Sequence, residues 1–372
     1  IEFHNIDELP SDVIEFWRRI QVAHNKVLPL SGTFDWCRLM MSGRADATVL
    51  AARRAGRVVV VVPCMRSTWS FSGAARWLSF GRGRHVLKVL GRDFVADDLS
   101  SEELGELWRS LFSYGKDIDG VWFDHIGDEG WTLLKRSVGR RSGLFLHRVF
   151  TDTPHFRFIL PETREACFAL RSKGSLKRTA RKERAMVRAE GGETRLVELR
   201  TRVDWDQWGA IVERLMTEAW QAEWLGHGYN RRCELAVIEK GWFRSFLLLC
   251  GERPVAAAIA YQAHDCLLYE RIAYDRRASE HSPGMVLFYR ILECLYDNDR
   301  PAFIDFGEGD AHYKRQWGNA CTQSHSGLIL KRRPSLMLTS GLDRFFRRLS
   351  AHAGGVLRAS GWRKRLLSRK GP

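Results

Sequence analysis

The chain of 372 residues carries a net charge of +15, and 45% of its residues are hydrophobic. This length allows two domains of ordinary size, and this composition excludes wholesale disorder. The eight cysteines and twelve histidines lack the spacings of a zinc site, which predicts buried, reduced thiols, no metal and a cytoplasmic protein. No apolar run reaches the roughly 18 residues that span a bilayer. Because the chain begins at Ile1 rather than Met, a trimmed N-terminus and a lost targeting segment stay open.

The first half of the chain alternates between strand and helix patterns. Helices are predicted over 13–22, 101–112 and 130–137, and strands over 47–52, 57–63, 74–78, 85–90, 120–125 and 148–158. The helix over 101–112 is opened by Ser100 or Ser101 as its cap.

The second half repeats the alternation after Pro161. Helices are predicted over 161–170, 172–188, 205–220 and 284–296, and strands over 194–199, 245–250, 255–262, 266–274, 302–306 and 327–331. The chain is therefore predicted to be an α/β protein with two related domains, 1–160 and 161–330, and a basic amphipathic tail over 331–372.

The positive charge is concentrated in two segments. Residues 171–188 hold eight Lys/Arg and one acid, and residues 331–372 hold twelve Lys/Arg and one acid, which leaves −3 for the rest of the chain. Such segments favour a polyanionic partner: RNA, an acidic polysaccharide or an anionic membrane surface. A solvated amphipathic face, or packing against the body of the protein, is the alternative interpretation.

The stretch 303–318, FIDFGEGDAHYKRQWG, joins a short strand to a helix through an acidic, glycine-rich loop. Strand-to-helix junctions are where α/β proteins tend to place catalytic groups. A capped turn with solvated charges, in which Asp310 caps the helix, is the alternative interpretation. The polar side chains at this junction are Asp305, Glu308, Asp310, His312, Tyr313 and Lys314.

The loop 275–283, DRRASEHSP, leads into a helix that begins at Gly284. Because glycine has no side chain, an anion can approach the amides of residues 284–286, which carry the positive end of the helix dipole. Arg276 and Arg277 would reinforce a phosphate site here. An ordinary helix start is the alternative interpretation.

Trp220 and Trp224 precede the polar segment LGHGYN. They fit core packing, and they also fit an acceptor cleft in which an indole stacks on a sugar or a base.

Residues 160–320 resemble the GNAT acyltransferase superfamily, specifically its FemAB-related CelD/BcsL-type group. The resemblance is carried by the basic helix before Gly191-Gly192, the hairpin G-x-x-P-V-A-A-A, the strand YERIAYD, S-P-G before a helix, and DFGEGDAHYKRQW. Residues 1–150 resemble the N-terminal half of this family more loosely, and the basic tail lies outside the resemblance.

The resemblance implies two tandem GNAT-like domains, each a mixed, mostly antiparallel sheet flanked by helices, of which the first is degenerate. It implies that the donor's pyrophosphate binds at Ser282, Gly284 and Met285. It also implies that strands 267–274 and 302–306 splay apart to receive the donor. S-P-G-M stands where GNAT enzymes usually carry a glycine-rich signature.

The implied chemistry is direct attack of an amine, less often a hydroxyl, on the donor carbonyl. Asp305 or Glu308 would act as the base, with Glu270 as a third option, and Tyr313 would protonate the departing thiolate. Lys314 and Asp310 would orient the acceptor.

The predicted function is acyl transfer from acyl-CoA, used as a co-substrate with no permanently bound cofactor. One alternative is an aminoacyl-tRNA-dependent transferase that forms an amide, with tRNA contacting 171–188 and 331–372. The other is a non-catalytic scaffold of envelope or polysaccharide assembly. For the tail itself, peripheral membrane contact, RNA contact and docking on the body stay open.

Overall fold

Runs of β-branched residues and alanines form most strands of this protein, and amphipathic segments form its helices. The computed structural model describes residues 1–23, 30–72, 79–91, 94–97, 99–115, 117–139, 142–149, 152–218 and 231–359. Among these residues, no helix is long and apolar enough to cross a lipid bilayer.

The strands are β1 (Glu2–His4), β2 (Ala47–Arg54), β3 (Arg57–Ser72), β4 (Ser79–Val89), β5 (Val95–Ala96), β6 (Gly120–Gly127), β7 (Leu144–Arg148), β8 (Thr153–Ile159), β9 (Thr194–Leu199), β10 (Ser245–Cys250), β11 (Arg253–Ala263), β12 (Cys266–Tyr274), β13 (Phe303–Glu308) and β14 (Ala320–Lys331).

The α-helices are α1 (Ser11–Ala23), α2 (Phe34–Met41), α3 (Ser101–Tyr114), α4 (Asp128–Ser137), α5 (Arg164–Ala169), α6 (Lys173–Glu190), α7 (Arg202–Glu218), α8 (Arg231–Glu239), α9 (Pro283–Asp297), α10 (His312–Trp317) and α11 (Pro334–Ala359). Short 3₁₀ helices cover Ile6–Glu8, Leu30–Gly32 and Arg276–His281.

The chain divides into two units. Unit 1 comprises Ile1–Ile20, Met41–Thr151 and His325–Pro372, and unit 2 comprises Gln21–Met40 and Asp152–Ser324. The domain limits predicted from the sequence stay a prediction.

In unit 1 the strands follow the order β1-β2-β3-β4-β6-β14, with β5 beside β3 and with β7 paired to residues 327–331 of β14. Strand β4 runs parallel to β6, with Val86–Val89 opposite Gly120–Phe123. Helix α3 buries Trp108 and Leu111 in a core with Phe123. Its first turn is closed by a capping box between Ser100 and Glu103, as Ser100 in the sequence predicts.

In unit 2 the strands follow the order β14-β8-β13-β12-β11-β10-β9, with residues 320–324 of β14 paired to β8. All of these neighbours are antiparallel except β12 and β13. Both faces of β11 are covered: Ala256, Ala258 and Ala260 lie in one core cluster, while Ala257 and Ile259 lie in another. These small side chains let helices pack closely on the sheet, and α9 contacts β11 directly.

The mixed α/β fold predicted from the sequence is confirmed. The strand predicted over 148–158 is β8, which begins only at Thr153, and the prediction missed β7, which ends at Arg148 and pairs with a different part of β14. Helices α2 and α8 were not predicted. The strand predicted over 74–78 lies outside the described residues, and the next described strand, β4, begins at Ser79.

Candidate functional site

The parallel pair β12–β13 opens partway along its length. Pairing covers only Cys266–Leu268 against Phe303–Asp305, although β12 continues to Tyr274 and β13 to Glu308. Beyond Leu268, the edge of β12 that faces β13 has no strand partner among the residues that the structure describes. This is the splaying that the resemblance implies.

Two irregularities lie at this level of the sheet. The register of β11 on β12 passes from Tyr269 to Arg271 and skips Glu270, as in a β-bulge. The register of β8 on β13 shifts between Asp305 and Glu308, where Gly307 has a φ of +66° that favours glycine. Bulges bend a strand and re-aim its side chains, so both strands turn where their pairing ends.

His155 of β8 lies between two carboxylates of β13. Its Nε2 is 2.7 Å from Asp305 Oδ1, and its Nδ1 is 3.1 Å from Glu308 Oε1. The side chains of His155 and Asp305 are almost fully buried, whereas 23% of the Glu308 side chain is exposed. Each ring nitrogen of His155 therefore faces the carboxylate of a different residue of β13.

Asp305 is an ionised carboxylate in this arrangement. Burial alone would raise its pKa, but the hydrogen bond and charge of His155 and the charge of Arg157 outweigh burial and hold the pKa below its usual range. Asp305 also accepts a hydrogen bond from the Gly307 amide at 2.8 Å, which fixes the start of the following loop. Arg157 Nε lies 3.4 Å from the other carboxylate oxygen.

Lys314 is a buried cation that holds the loop. Its Nζ donates to the carbonyl of Glu308 at 2.6 Å and lies 3.4 Å from the carbonyl of Gly307. Burial lowers the pKa of this ammonium, while Glu308, Asp305 and Glu270 oppose the shift.

Glu270 lies at the bulge of β12 and faces the same carboxylates. Its side chain is accessible to solvent, yet the surrounding protein raises the pKa of its carboxyl, with Arg271 opposing and Glu308 adding to the shift. Glu270 therefore lies near Glu308 and Asp305, at the point where the pairing of β12 and β13 has ended.

Tyr313 stands on α10 against the aromatic wall of the opening. Its ring packs edge-on to Phe306 at 5.7 Å and to Tyr269 at 6.4 Å between centroids. Burial raises the pKa of Tyr313 to about 12, so its phenol keeps its proton at neutral pH. The buried hydroxyl of Tyr269 has no hydrogen-bond partner among the described residues.

Helix α9 begins without a side-chain cap. Ser282, the residue before its first turn, has a φ of +53° that is rare for a residue with a side chain. The amides of Met285 and Val286 donate to the Ser282 carbonyl, whereas no acceptor for the Gly284 amide is found among the described residues. Gly284 also brings the helix close to β12, since a Cβ there would lie 3.1 Å from the Ile272 side chain.

The two arginines predicted beside this helix differ in their contacts. Arg277 is mostly exposed and pairs with Asp275 at 3.0 Å, and Arg253 pairs with the same carboxylate at 2.7 Å. Although burial opposes them, these guanidinium groups hold the pKa of Asp275 well below its usual range. Arg276 is exposed and has no ion-pair partner among the described residues.

The structure therefore brings Asp305, Glu308, Tyr313, Lys314 and Glu270 together around the opening of β12 and β13. Other predicted residues lie elsewhere. Asp310 does not cap α10, because Ala311 is the N-cap and Asp310 pairs with Arg315 at 3.0 Å on the surface. Trp220 and Trp224 lie outside the described residues.

Sequence reasoning missed His155. Its strand was read as the end of the first domain, so no motif connected it with residues 150 positions later in the chain. The sequence offered little signal, because His155 alternates with Phe156 and Phe158 in TPHFRFI and shares the polar side of the strand with Arg157. Among the described residues, no group of three or more His, Cys, Asp and Glu side chains is placed to hold a metal ion.

Comparison with known proteins gives a family for this region. Residues 174–315 match the family model described as an acetyltransferase (GNAT) domain. No curated protein matches the sequence.

Solved structures share the fold along most of the chain. The crystal structure of FemX is 13% identical, with a TM-score of 0.59, and the match covers 91% of this chain and 100% of FemX. A tandem GNAT protein from the clavulanic acid biosynthesis pathway is also 13% identical, with a TM-score of 0.53, covering 90% of this chain and 99% of that one. The match to a GNAT acetyltransferase domain over 174–315 supports an N-acyltransferase enzyme, and the fold of the chain is similar to those of FemX and of a tandem GNAT protein.

Proposed function

We propose that unit 2 transfers an acyl group from acyl-CoA to an amine, less often a hydroxyl, by direct attack on the donor carbonyl. The observation that carries this proposal is the opening between β12 and β13. It is bordered by His155 with the carboxylates of Asp305 and Glu308 on either side of its ring, and by the protonated phenol of Tyr313. A base and an acid at the same opening are the two groups that acyl transfer requires.

Glu308 is the proposed general base. It is the exposed member of the group, and an ammonium acceptor must lose a proton before its nitrogen can attack. The new C–N bond then forms on the donor carbonyl, the C–S bond breaks, and Tyr313 gives its proton to the departing sulfur. The unpaired edge of β12 beyond Leu268 supplies backbone N–H groups for the oxyanion that develops between these steps.

His155 and Asp305 are proposed as positioning residues for Glu308. The ring of His155 lies between both carboxylates, with Nε2 facing the ionised Asp305 and Nδ1 facing Glu308. Lys314 acts on the same loop from the other side through the Glu308 carbonyl. His155, Asp305 and Lys314 are buried and hold Glu308 in one orientation. Glu308 therefore loses little conformational entropy when the reaction occurs.

The donor is proposed to bind along the start of α9. The Gly284 amide and the side chain of Arg276 offer a hydrogen-bond donor and a positive charge to its phosphates, with Arg277, Ser282 and Met285 beside them. Glu270 lines the side from which the acceptor would enter, and we retain Asp310, Trp220 and Trp224 as proposed acceptor contacts.

The test combines donor binding with turnover. Calorimetry with coenzyme A measures donor affinity, and release of the free thiol from acetyl-CoA in the presence of an amine panel measures turnover. We expect Glu308→Gln to lower kcat by about 100-fold, the loss typical of a general base, with little change in donor affinity. Glu252→Gln, an exposed change in the turn between β10 and β11, is the matched control and should leave both values unchanged.

Two results would overturn the proposal: a protein that does not bind coenzyme A, or a Glu308→Gln variant with the turnover of the parent. A variant that binds the donor and loses only turnover supports it.

A second donor, aminoacyl-tRNA, is favoured by the surface of α6. This helix exposes Lys177, Arg181, Arg184 and Arg188 along one stripe, and it packs against α9 and the 3₁₀ helix before it. The stripe would place an anionic RNA beside the proposed donor site. In the same binding experiment, salt-sensitive retention of tRNA with no heat of binding for coenzyme A identifies this donor instead.

A further inference from the structure

Helix α11 of unit 1 has two faces of opposite character. Its inner face is anchored by Leu336, Ser340 and Asp343, each at most 1% exposed. Leu336 lies in a core cluster with Trp69 and Leu328. Because Ser340 and Asp343 are polar and yet buried, their contacts fix which side of the helix packs against the rest of unit 1.

A buried histidine supplies the polar part of this anchor. His147 of β7 lies 2.7 Å from Ser340 Oγ through Nδ1 and 3.1 Å from Asp343 Oδ2 through Nε2. Neither His147 nor Asp343 has any exposed side-chain surface. The rotation of α11 about its own axis is therefore set by specific contacts.

The opposite, outer face of the same helix exposes large apolar side chains to solvent. Leu338 is 65% exposed, Phe345 is 57% exposed and Leu342 is 38% exposed, with Met337 beside them at 40%. At about 100° per residue, the stripe of Leu338, Leu342 and Phe345 lies about 160° from the anchored face. Among the described residues, four of the nine large hydrophobic side chains that are exposed belong to this helix.

The segment that carries this stripe is basic in sequence. Residues 331–372 contain twelve Lys/Arg and one acid, and that acid is the buried Asp343. Arg332 and Arg344 are exposed before and within the stripe, while Arg333 lies 3.8 Å from Asp119 of unit 1. Among residues 331–346, the part of this segment whose side chains the structure describes, the exposed charged side chains are therefore all cations.

We propose that the outer face of α11 docks on an anionic lipid surface. Apolar side chains on one side of a helix flanked by cations are the features of helices that lie in the membrane interface. A second copy of this chain would place its own basic segment 331–372, of net charge +11, against this one. RNA would match the cations, but the stripe is mainly aliphatic, and bases stack on aromatic rings. This inference does not depend on the proposed acyl donor.

The experiment is co-sedimentation of the full chain with phosphatidylcholine vesicles, with and without 30% phosphatidylglycerol. We expect the protein to pellet with the anionic vesicles and to stay in solution with the neutral ones. The double variant Leu338→Ser/Phe345→Ser should lower the vesicle partition coefficient at least 10-fold without changing any charge. Arg332→Glu/Arg344→Glu should lower it as well, and most strongly at low salt.

The matched control is Leu170→Ser/Val203→Ser, which removes two exposed apolar side chains from unit 2 and should leave vesicle binding unchanged. Circular dichroism and thermal unfolding confirm that each variant is folded. Equal binding to neutral vesicles, or parental binding by the stripe variant, would overturn the proposal. So would a dimer, or a complex with tRNA, that forms without vesicles and is lost in the stripe variant.

Discussion

Both units contain one parallel pair of strands, β4 with β6 in unit 1 and β12 with β13 in unit 2. In unit 1 the pairing runs to Val89, where β4 ends. In unit 2 it stops at Leu268, six residues before β12 ends at Tyr274. In unit 1 the register of β3 on β4 is regular beside the parallel pairing, from Cys64 to Trp69, and shifts farther away, between Trp69 and Phe71. In unit 2 both neighbours shift where the pairing stops, β11 on β12 at Glu270 and β8 on β13 between Asp305 and Glu308. The described parallel pairs therefore differ in whether the register shifts lie at the point where pairing stops.

The helices that precede the second strand of each pair differ in how their N-termini are capped. Helix α3 is closed by the capping box of Ser100 and Glu103, and its first turn is acidic. Helix α9 has no side-chain cap and no acid in its first turn. A phosphate would meet repulsion at α3 and an available amide at α9, so the comparison supports a donor site in unit 2 and a structural role for unit 1.

The largest expected effect is a loss of stability when the carboxylate at the end of a parallel pair is removed, Asp305 in unit 2 or Asp124 in unit 1. Asp305→Asn leaves the buried His155 and Arg157 without their anion, and breaking such a pair should lower the free energy of unfolding by about 3–5 kcal/mol. Asp124→Asn is the matched change in unit 1. Asp124 pairs with Lys88 at 2.8 Å with both side chains partly exposed, so about 1 kcal/mol or less is expected. Urea denaturation of both variants measures the difference.

The pH dependence gives the sign of the same effect. The pKa of Asp305 is depressed in the folded protein, so its stabilising contribution is present above the unfolded pKa and is lost as the pH falls through the folded value. The gap between parent and Asp305→Asn should therefore shrink in acid. If both variants lose the same free energy of unfolding at neutral pH, the carboxylates of Asp305 and Asp124 do not differ in their contribution to stability, and this expectation is wrong.

A smaller effect is expected from the helix starts. Gly284→Asp places a carboxylate at the open end of α9 and should weaken coenzyme A binding about 10-fold, a change of about 1.4 kcal/mol. Ser100→Ala removes the cap of α3 and should lower stability by about 1 kcal/mol while leaving that affinity unchanged. Calorimetry and thermal unfolding of both variants separate the two. Loss of coenzyme A binding in the Ser100 variant alone would reverse the assignment of the donor site.

The smallest effect concerns a hydroxyl in the core of unit 2. Tyr269→Phe removes a buried hydroxyl that has no partner among the described residues, so stability should rise by about 1 kcal/mol. The matched change is Tyr296→Phe, which removes a hydroxyl that donates to the Pro161 carbonyl at 2.7 Å and should lower stability by a similar amount. If the Tyr269 hydroxyl serves the donor, its variant gains stability and loses turnover. Thermal unfolding and thiol release measure both, and a loss of stability in the Tyr269 variant would contradict the expectation.

Local patterns were sufficient to predict much of unit 2. The alternation and turns of 245–274 predict β10, β11 and β12, and Ser282-Pro283-Gly284 predicts the start of α9, because hairpins and helix starts depend on neighbouring residues. The same reasoning failed for 148–158, where two strands follow each other and pair with different parts of β14. Periodicity reports that a segment is extended but not which partner it has.

The sequence by itself determined that the acidic loop 303–318 and the open helix start at Gly284 belong to one α/β unit, because both signals are local. Only the tertiary structure decided which polar groups meet and which apolar side chains are exposed. His155 reaches Asp305 and Glu308 across about 150 positions of sequence through the pairing of β8 with β13. Likewise, the contact of the buried Asp343 with His147 leaves Leu338, Leu342 and Phe345 on the exposed side of α11. Such contacts depend on strand neighbours and helix rotation, which are properties of the assembled sheet rather than of any single segment.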